Sequence, residues 1–183
     1  MKAHECTGHL LLVLIMGVGG SLAAVSGAWS QQKQSVSFSF PAGAATYTQE
    51  HLLEVGDVPG HQVRAFELRI DFQNINLSFG GVKMKELWVR GLSDYTNGSG
   101  TASNYDIWVL ENGDKLFSKE SVVGHASVAP DGSKTLKYSV VNTFTGGTGK
   151  FRGIRGQFLG NAVRVPGAKT IANDTTGEYW IEE

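Results

Sequence analysis

From residue 46 onward the chain runs on a period of two. Apolar and polar residues alternate in long stretches, and turn-forming residues separate the stretches. The stretches fall at 46–55, 62–72, 83–95, 101–110, 115–125, 134–145, 153–165 and 170–182, and none shows the 3.6-residue period of an amphipathic helix. Gly56-Asp57-Val58-Pro59-Gly60, Asn97-Gly98-Ser99-Gly100, Pro130-Asp131-Gly132 and Pro166-Gly167 punctuate them. Asn112-Gly113 supplies the positive φ that a two-residue hairpin requires. Residues 35–40 alternate Ser with Val and Phe, and read as a short extra strand or an edge segment.

Strands joined by such short links are antiparallel neighbours. Laid flat, eight of them leave two long unpaired edges, and closure removes both. The expected fold is therefore all-β: an eight-stranded antiparallel up-and-down β-barrel, calycin-like, over 46–183. An interior of that size is filled by side chains or holds one small ligand.

Parity sorts the faces. Phe66, Leu68, Ile70 and Phe72 share one face of the second strand, against Glu67, Arg69 and Asp71. Leu87 and Val89 oppose Glu86, Trp88 and Arg90, and Leu136, Tyr138, Val140, Asn142 and Phe144 oppose Lys137 and its neighbours. The apolar sets are expected inward, and on the fourth strand that puts Tyr105 and Ile107 in and Trp108 out. An outward Trp88 is a candidate for contact between copies or for cover by Phe38 and Phe40. Parity does not place the first strand, where His51, Leu53 and Val55 oppose Glu50 and Leu52.

The N-terminus reads as an export signal. Lys2 precedes an apolar run at 10–18, and Ser26-Gly27-Ala28 fits a small-residue cleavage site. The run is too short to span a bilayer, which takes about 20 residues, so no stable membrane anchor is expected. Cleavage after Ala28 removes 1–28, including the single Cys, Cys6. An extension at 29–45 precedes the barrel, and the mature chain is expected to be secreted or periplasmic. Charge is balanced, with 16 Lys+Arg against 17 Asp+Glu. That leaves no basic excess to neutralise phosphates, and nucleic acid is not an expected partner.

The segment Thr145-Gly146-Gly147-Thr148-Gly149-Lys150-Phe151-Arg152-Gly153-Ile154-Arg155-Gly156 is the most distinctive in the chain. Gly149-Lys150 leads into Phe151 and a strand, so it is not a phosphate loop, which leads into a helix. It resembles the signature of the allene oxide cyclase and dirigent barrels: a strand, then Gly-Gly-Thr/Ser-Gly-x-Phe, then a glycine-bearing strand. In that pattern the Phe plugs one barrel end. Glu50 to Pro59 is similar to the first strand and proline loop of the plant cyclases, and the resemblance implies that Glu50 and Pro59 border the pocket. It implies also that Val89 and Ile107 point inward, at positions where the plant cyclases carry Asn and Cys. Lys134 stands where they carry Tyr. Most polar groups of the plant reaction are thus missing, with Glu50 and Pro59 remaining, and plant allene oxide cyclase activity itself is not expected. Similar barrels form dimers or trimers, so a homodimer or homotrimer is implied.

Glu50 is the candidate catalytic residue: a carboxylate shut inside a barrel can serve as acid or base, whereas on the surface it does neither. Pro59, Phe66, Val89, Tyr105, Ile107, Tyr138 and Asn142 are the candidate substrate-binding residues. Each tyrosine either offers a ligand its hydroxyl or packs as a core aromatic. Asn142, among apolar neighbours, ties down a strand or faces a ligand. Glu120 has the parity of Leu116 and Val122, and Arg64 that of Phe66, so a Glu120–Arg64 pair at the barrel mouth is possible. His51, His61 and His125 lie apart without metal-ligand spacing, so no metal is expected. No Gly-x-Ser-x-Gly elbow is present.

These readings describe a secreted barrel that binds a small apolar molecule in its lumen. As an enzyme it would be a cofactor-free isomerase or cyclase, or a dirigent-like guide, acting by confinement. The alternative is a non-catalytic structural or ligand-binding barrel. A lumen packed solid by Phe66, Leu68, Ile70, Val89, Ile107 and Val140 would favour the structural role.

Overall fold

A computed structural model of the chain describes residues 32–40, 43–164 and 171–182. The expected signal, 1–28, lies outside the described residues, as does the Pro166-Gly167 turn. Ten strands follow one another: β1 Gln34–Phe40, β2 Ala45–Glu54, β3 His61–Asp71, β4 Ser78–Phe79, β5 Val82–Thr96, β6 Ser99–Leu110, β7 Lys115–Val128, β8 Lys134–Gly147, β9 Ile154–Arg164 and β10 Ile171–Ile181. The eight long strands expected from the alternation are all there. Residues 34–40 form a further strand, and β4 is a short hairpin partner of β5.

The strands form one antiparallel sheet in the order β1-β10-β9-β8-β7-β6-β5-β3-β2. The sheet is not the closed eight-stranded barrel expected. The reason lies in β1, which pairs along β10 from Gln34↔Tyr179 to Phe40↔Asn173 and so occupies the edge that β2 would need for closure. Among the described residues no ladder joins β1 to β2. The sheet curls nonetheless. Phe38 and Phe40 on β1 lie 6.5 and 5.4 Å, ring to ring, from Phe72 just past β3. Aromatic packing brings the two sides of the seam together where hydrogen bonds do not. β2 remains an exposed edge, interrupted by a bulge between Tyr47 and Gln49.

The packed core fills one end of the curl. Phe79, Trp108, Phe144 and Phe158 meet edge to face or tilted, at centroid separations of 5.1–6.2 Å. The glycine-rich turn after β8 sets Phe151 into this end, 1% exposed. A Cβ on Gly147 would stand 2.7 Å from the carbonyl oxygens of Lys115 and Phe151, so only glycine fits.

The expected faces of β3, β5 and β8 are observed, but β6 is inverted. Register decides it: Val89 pairs with Asp106, and Trp88 with Ile107. Asn104, Asp106 and Trp108 therefore point inward and are buried, while Tyr105 is 62% exposed on the outer face beside Ile107. Trp108, expected outside, is a core residue. The outer face of β6 holds Tyr105, Ile107 and Val109 and the inner face holds Asn104 and Asp106, so hydrophobic alternation points the wrong way there.

Candidate functional site

Above the core the lumen stays open. A cavity of about 480 Å³ occupies it, a size suited to a small organic ligand. Cross-strand registers divide its wall into rows. Ile70 and Leu87 lie deepest against the core, and the next row is Leu68, Val89, Asp106, Ser118 and Phe144, of which Leu68 and Val89 line the cavity. Next come Phe66, Gly91, Asn104, Glu120 and Asn142, and then Arg64, Ser93, Ala102, Val122 and Val140. The row of Gln62, Tyr95 and Tyr138 follows, and Leu136, Lys134 and Arg164 rim the far end with Asn97 and Gly98.

The floor is a buried polar network. Trp108 Nε1 donates to Ser118 Oγ at 2.8 Å, and Ser118 Oγ donates to Asp106 Oδ2 at 3.0 Å. Asn142 Nδ2 donates to the same Oδ2 at 2.5 Å and reaches Glu120 Oε2 at 3.5 Å. Asn104 Nδ2 donates to Glu120 Oε1 at 2.7 Å. Asp106, Asn104 and Asn142 are almost fully buried, and Glu120 lines the cavity. Asn104 lies across Gly91, where a Cβ would stand 1.8 Å from its Oδ1. No cation joins the network among the described residues. Burial, together with Glu120 nearby, raises the Asp106 carboxyl well above its ordinary range, against the hydrogen bonds from Ser118 and Asn142. Burial also raises Glu120, against the hydrogen bonds from Asn104 and Asn142. Both carboxyls therefore favour the protonated form more than an exposed carboxyl does, and Asn142 Nδ2 bridges them.

Two tyrosines form the upper wall, their rings 6.4 Å apart and edge to face. Burial lifts Tyr95 to about 12 and raises Tyr138, whose shift Arg164 opposes. Both hydroxyls are therefore neutral donors. Arg64 lies over the rings of Tyr47 and Phe66, at 5.0 and 5.2 Å.

Of the residues expected at the site, Phe66, Val89 and Tyr138 line the cavity. Asn142 stands just behind it, holding Asp106. Tyr105 and Ile107 are on the outer face. Glu50 pairs in register with Phe66, but on the open edge strand: its side chain is 41% exposed and accepts a hydrogen bond from Arg64 Nη1 at 2.6 Å. The enclosure on which its acid–base role rested is absent. Pro59 is exposed beside the rim, where its carbonyl accepts from Asn97 Nδ2 at 3.2 Å. Arg64 takes Glu50 as its partner rather than Glu120. Sequence reasoning passed over Asp106 and Asn104. The available signal was the polar pair two residues apart on β6, set opposite Glu120 and Ser118 on β7.

No protein-family model matches the chain, and no curated protein matches it. Among solved structures it is similar to a pterocarpan synthase dirigent protein, with 14% identity over 83% of this chain and 97% of that one and a TM-score of 0.39.

Proposed function

We propose that the lumen binds a small, largely apolar molecule, and that the Asp106–Glu120 pair serves it as acid and base in a cofactor-independent isomerisation or ring closure. One observation carries this reading. Among the described residues Glu120 is the one carboxyl on a wall of mixed apolar and polar residues, and Asn142 links it to a second, fully buried carboxyl with no ion pair to either. An isomerisation delivers a proton to one atom and removes one from another. A neutral carboxyl of the pair supplies the first step and its conjugate base the second, so the pair ends as it began. The walls select the reactive conformer, and Tyr95 and Tyr138 offer hydroxyls to an oxygen on the ligand. The lumen is not packed solid, which favours this reading over the structural one.

The test is native mass spectrometry of protein purified from its source, followed by Glu120→Gln. The reading expects a retained small molecule, bound equally by wild type and variant but converted only by wild type. Failure of the wild-type protein to retain or bind any apolar molecule would overturn it. Export remains part of the proposal on the N-terminal pattern alone, and a mature N-terminus near Trp29 is its expected signature. Association of copies through the outer face around Trp88 is likewise proposed, with subunit number read in the same spectra.

A further inference from the structure

We propose that the ligand is an amphipathic anion, with its apolar body in the lumen and a single anionic group held at the rim between Lys134 and Arg164. The proposal rests on the lumen being a binding site, as argued above. Three basic residues line the cavity, Arg64, Lys134 and Arg164, against one acidic residue, Glu120. Arg64 is already matched by Glu50. Lys134 and Arg164 make no ion pair among the described residues.

The acidic groups at this end are committed elsewhere. Asp57 and Asp94 bind the two ring nitrogens of His61, at 2.6 and 2.8 Å. Glu54 accepts from Gln62, and Asp131 from the Ser133 backbone. None of them lines the cavity.

The two free cations also sit together at the lip. Arg164 pairs in register with Leu136, two residues along β8 from Lys134. The Lys134 ammonium lies over the Asn97-Gly98 turn, 3.6 Å from where a Cβ on Gly98 would stand, and Arg164 stands beside the Tyr138 hydroxyl. The buried carboxyls below have no cation paired with them among the described residues and so offer an anion no partner. From the Asn142 row to the Leu136 row is six residues of β8, roughly 20 Å along an extended strand. The cavity is therefore polarised end to end: a ligand enters with its apolar end leading and leaves its anionic end at the rim.

Two fluorescent probes separate the claims. N-phenyl-1-naphthylamine and 8-anilinonaphthalene-1-sulfonate share a ring system and differ by the sulfonate. Wild type is expected to bind both, the sulfonate about tenfold tighter. Lys134→Gln with Arg164→Gln should erase that preference, leaving affinity for the neutral probe and thermal stability unchanged. Each single variant should lose part of it. Equal binding of the two probes by wild type, or a preference that survives the double variant, overturns the anionic-head proposal while leaving the lumen reading standing. Failure of wild type to bind either probe, or unchanged binding of both in the lumen-filling variant Ala102→Trp, overturns the lumen reading and the proposal with it.

Discussion

Glu67 and Asp106 lie close together in one sheet and differ in almost everything that matters to a carboxyl. Glu67 pairs with Arg90, whose next neighbour across the sheet is Tyr105, and Asp106 follows Tyr105 in the chain with its side chain on the opposite face. Both are buried, at 7% and 2% exposure. Glu67 accepts from Thr48 at 2.7 Å, Arg90 at 2.7 Å and Arg69 at 3.0 Å, and those donors hold it down at about 2. The two arginines flank Trp88, at 4.5 and 5.0 Å from its ring, so the clamp is rigid. Asp106 receives neutral donors only and shares its surroundings with a second carboxyl, and it moves the opposite way. Burial alone therefore does not set the protonation of a carboxyl here. Its donors and charged neighbours act with it: Thr48, Arg90 and Arg69 hold Glu67 down, while burial and then Glu120 raise Asp106. The outer cluster is a fixed anion in a structural clamp, and the inner carboxyls resist ionisation.

The comparison breaks most visibly at Asp106. Asp106→Ala strips the acceptor from Ser118 and Asn142 and leaves buried donors unsatisfied, so it is expected to cost about 3 kcal/mol in denaturant unfolding at pH 7. Asp106→Asn keeps an acceptor there and removes the ionisation, so it is expected to cost less than about 1 kcal/mol. The two raised carboxyls make wild-type stability fall as pH rises from the ordinary carboxylate range through their native titration. Asp106→Asn should flatten that fall. An equal loss in both variants would show that no neutral carboxyl is needed at this position.

Gly91→Ala sharpens the inner half. Its Cβ would displace the Asn104 side chain from Glu120, and about 1–3 kcal/mol is expected to be lost in the same measurement. Glu67→Gln tests the outer half. A lowered carboxyl stabilises the fold above its ordinary value, and that stability is lost as pH falls toward about 2. With the arginines partly exposed, the variant should cost about 1–2 kcal/mol at pH 7 and nothing once pH nears 2. The smallest effect is expected at His61. An imidazole between two carboxylates must carry both protons to donate to each, and its titration is raised by Asp57 first and then Asp94. Its contribution is present below the ordinary histidine value and is lost as pH rises through the native one. His61→Gln should remove a slight downward step in thermal stability as pH rises above the ordinary histidine value.

The strand positions were legible because turn chemistry and period two agree along most of the chain. Closure was not, since alternation within 35–40 says nothing about which edge that segment pairs with. Phe66 and Val89 were legible from parity because the charged residues Glu67, Arg69, Glu86 and Arg90 all fall on the opposite face of their strands. β6 was misread for the very reason it matters. Its inner face places Asn104 and Asp106 where a packing rule expects aliphatic residues, and Tyr105 and Ile107 cover the outside. Glu50 came from the resemblance to the plant cyclases, since parity did not place its strand. Its edge strand, however, stays open to solvent, so the lumen carboxyl is Glu120 on β7, at the centre of the sheet.

Infrared difference spectroscopy across a pH titration tests the raised carboxyls of the proposed site most directly. At neutral pH the wild-type protein should show the carbonyl stretch of a protonated carboxyl, and that band should be lost in the Asp106→Asn, Glu120→Gln double variant and unaffected by Glu67→Gln. A wild-type spectrum at neutral pH with every carboxyl ionised, or a band that survives the double variant, would contradict the account.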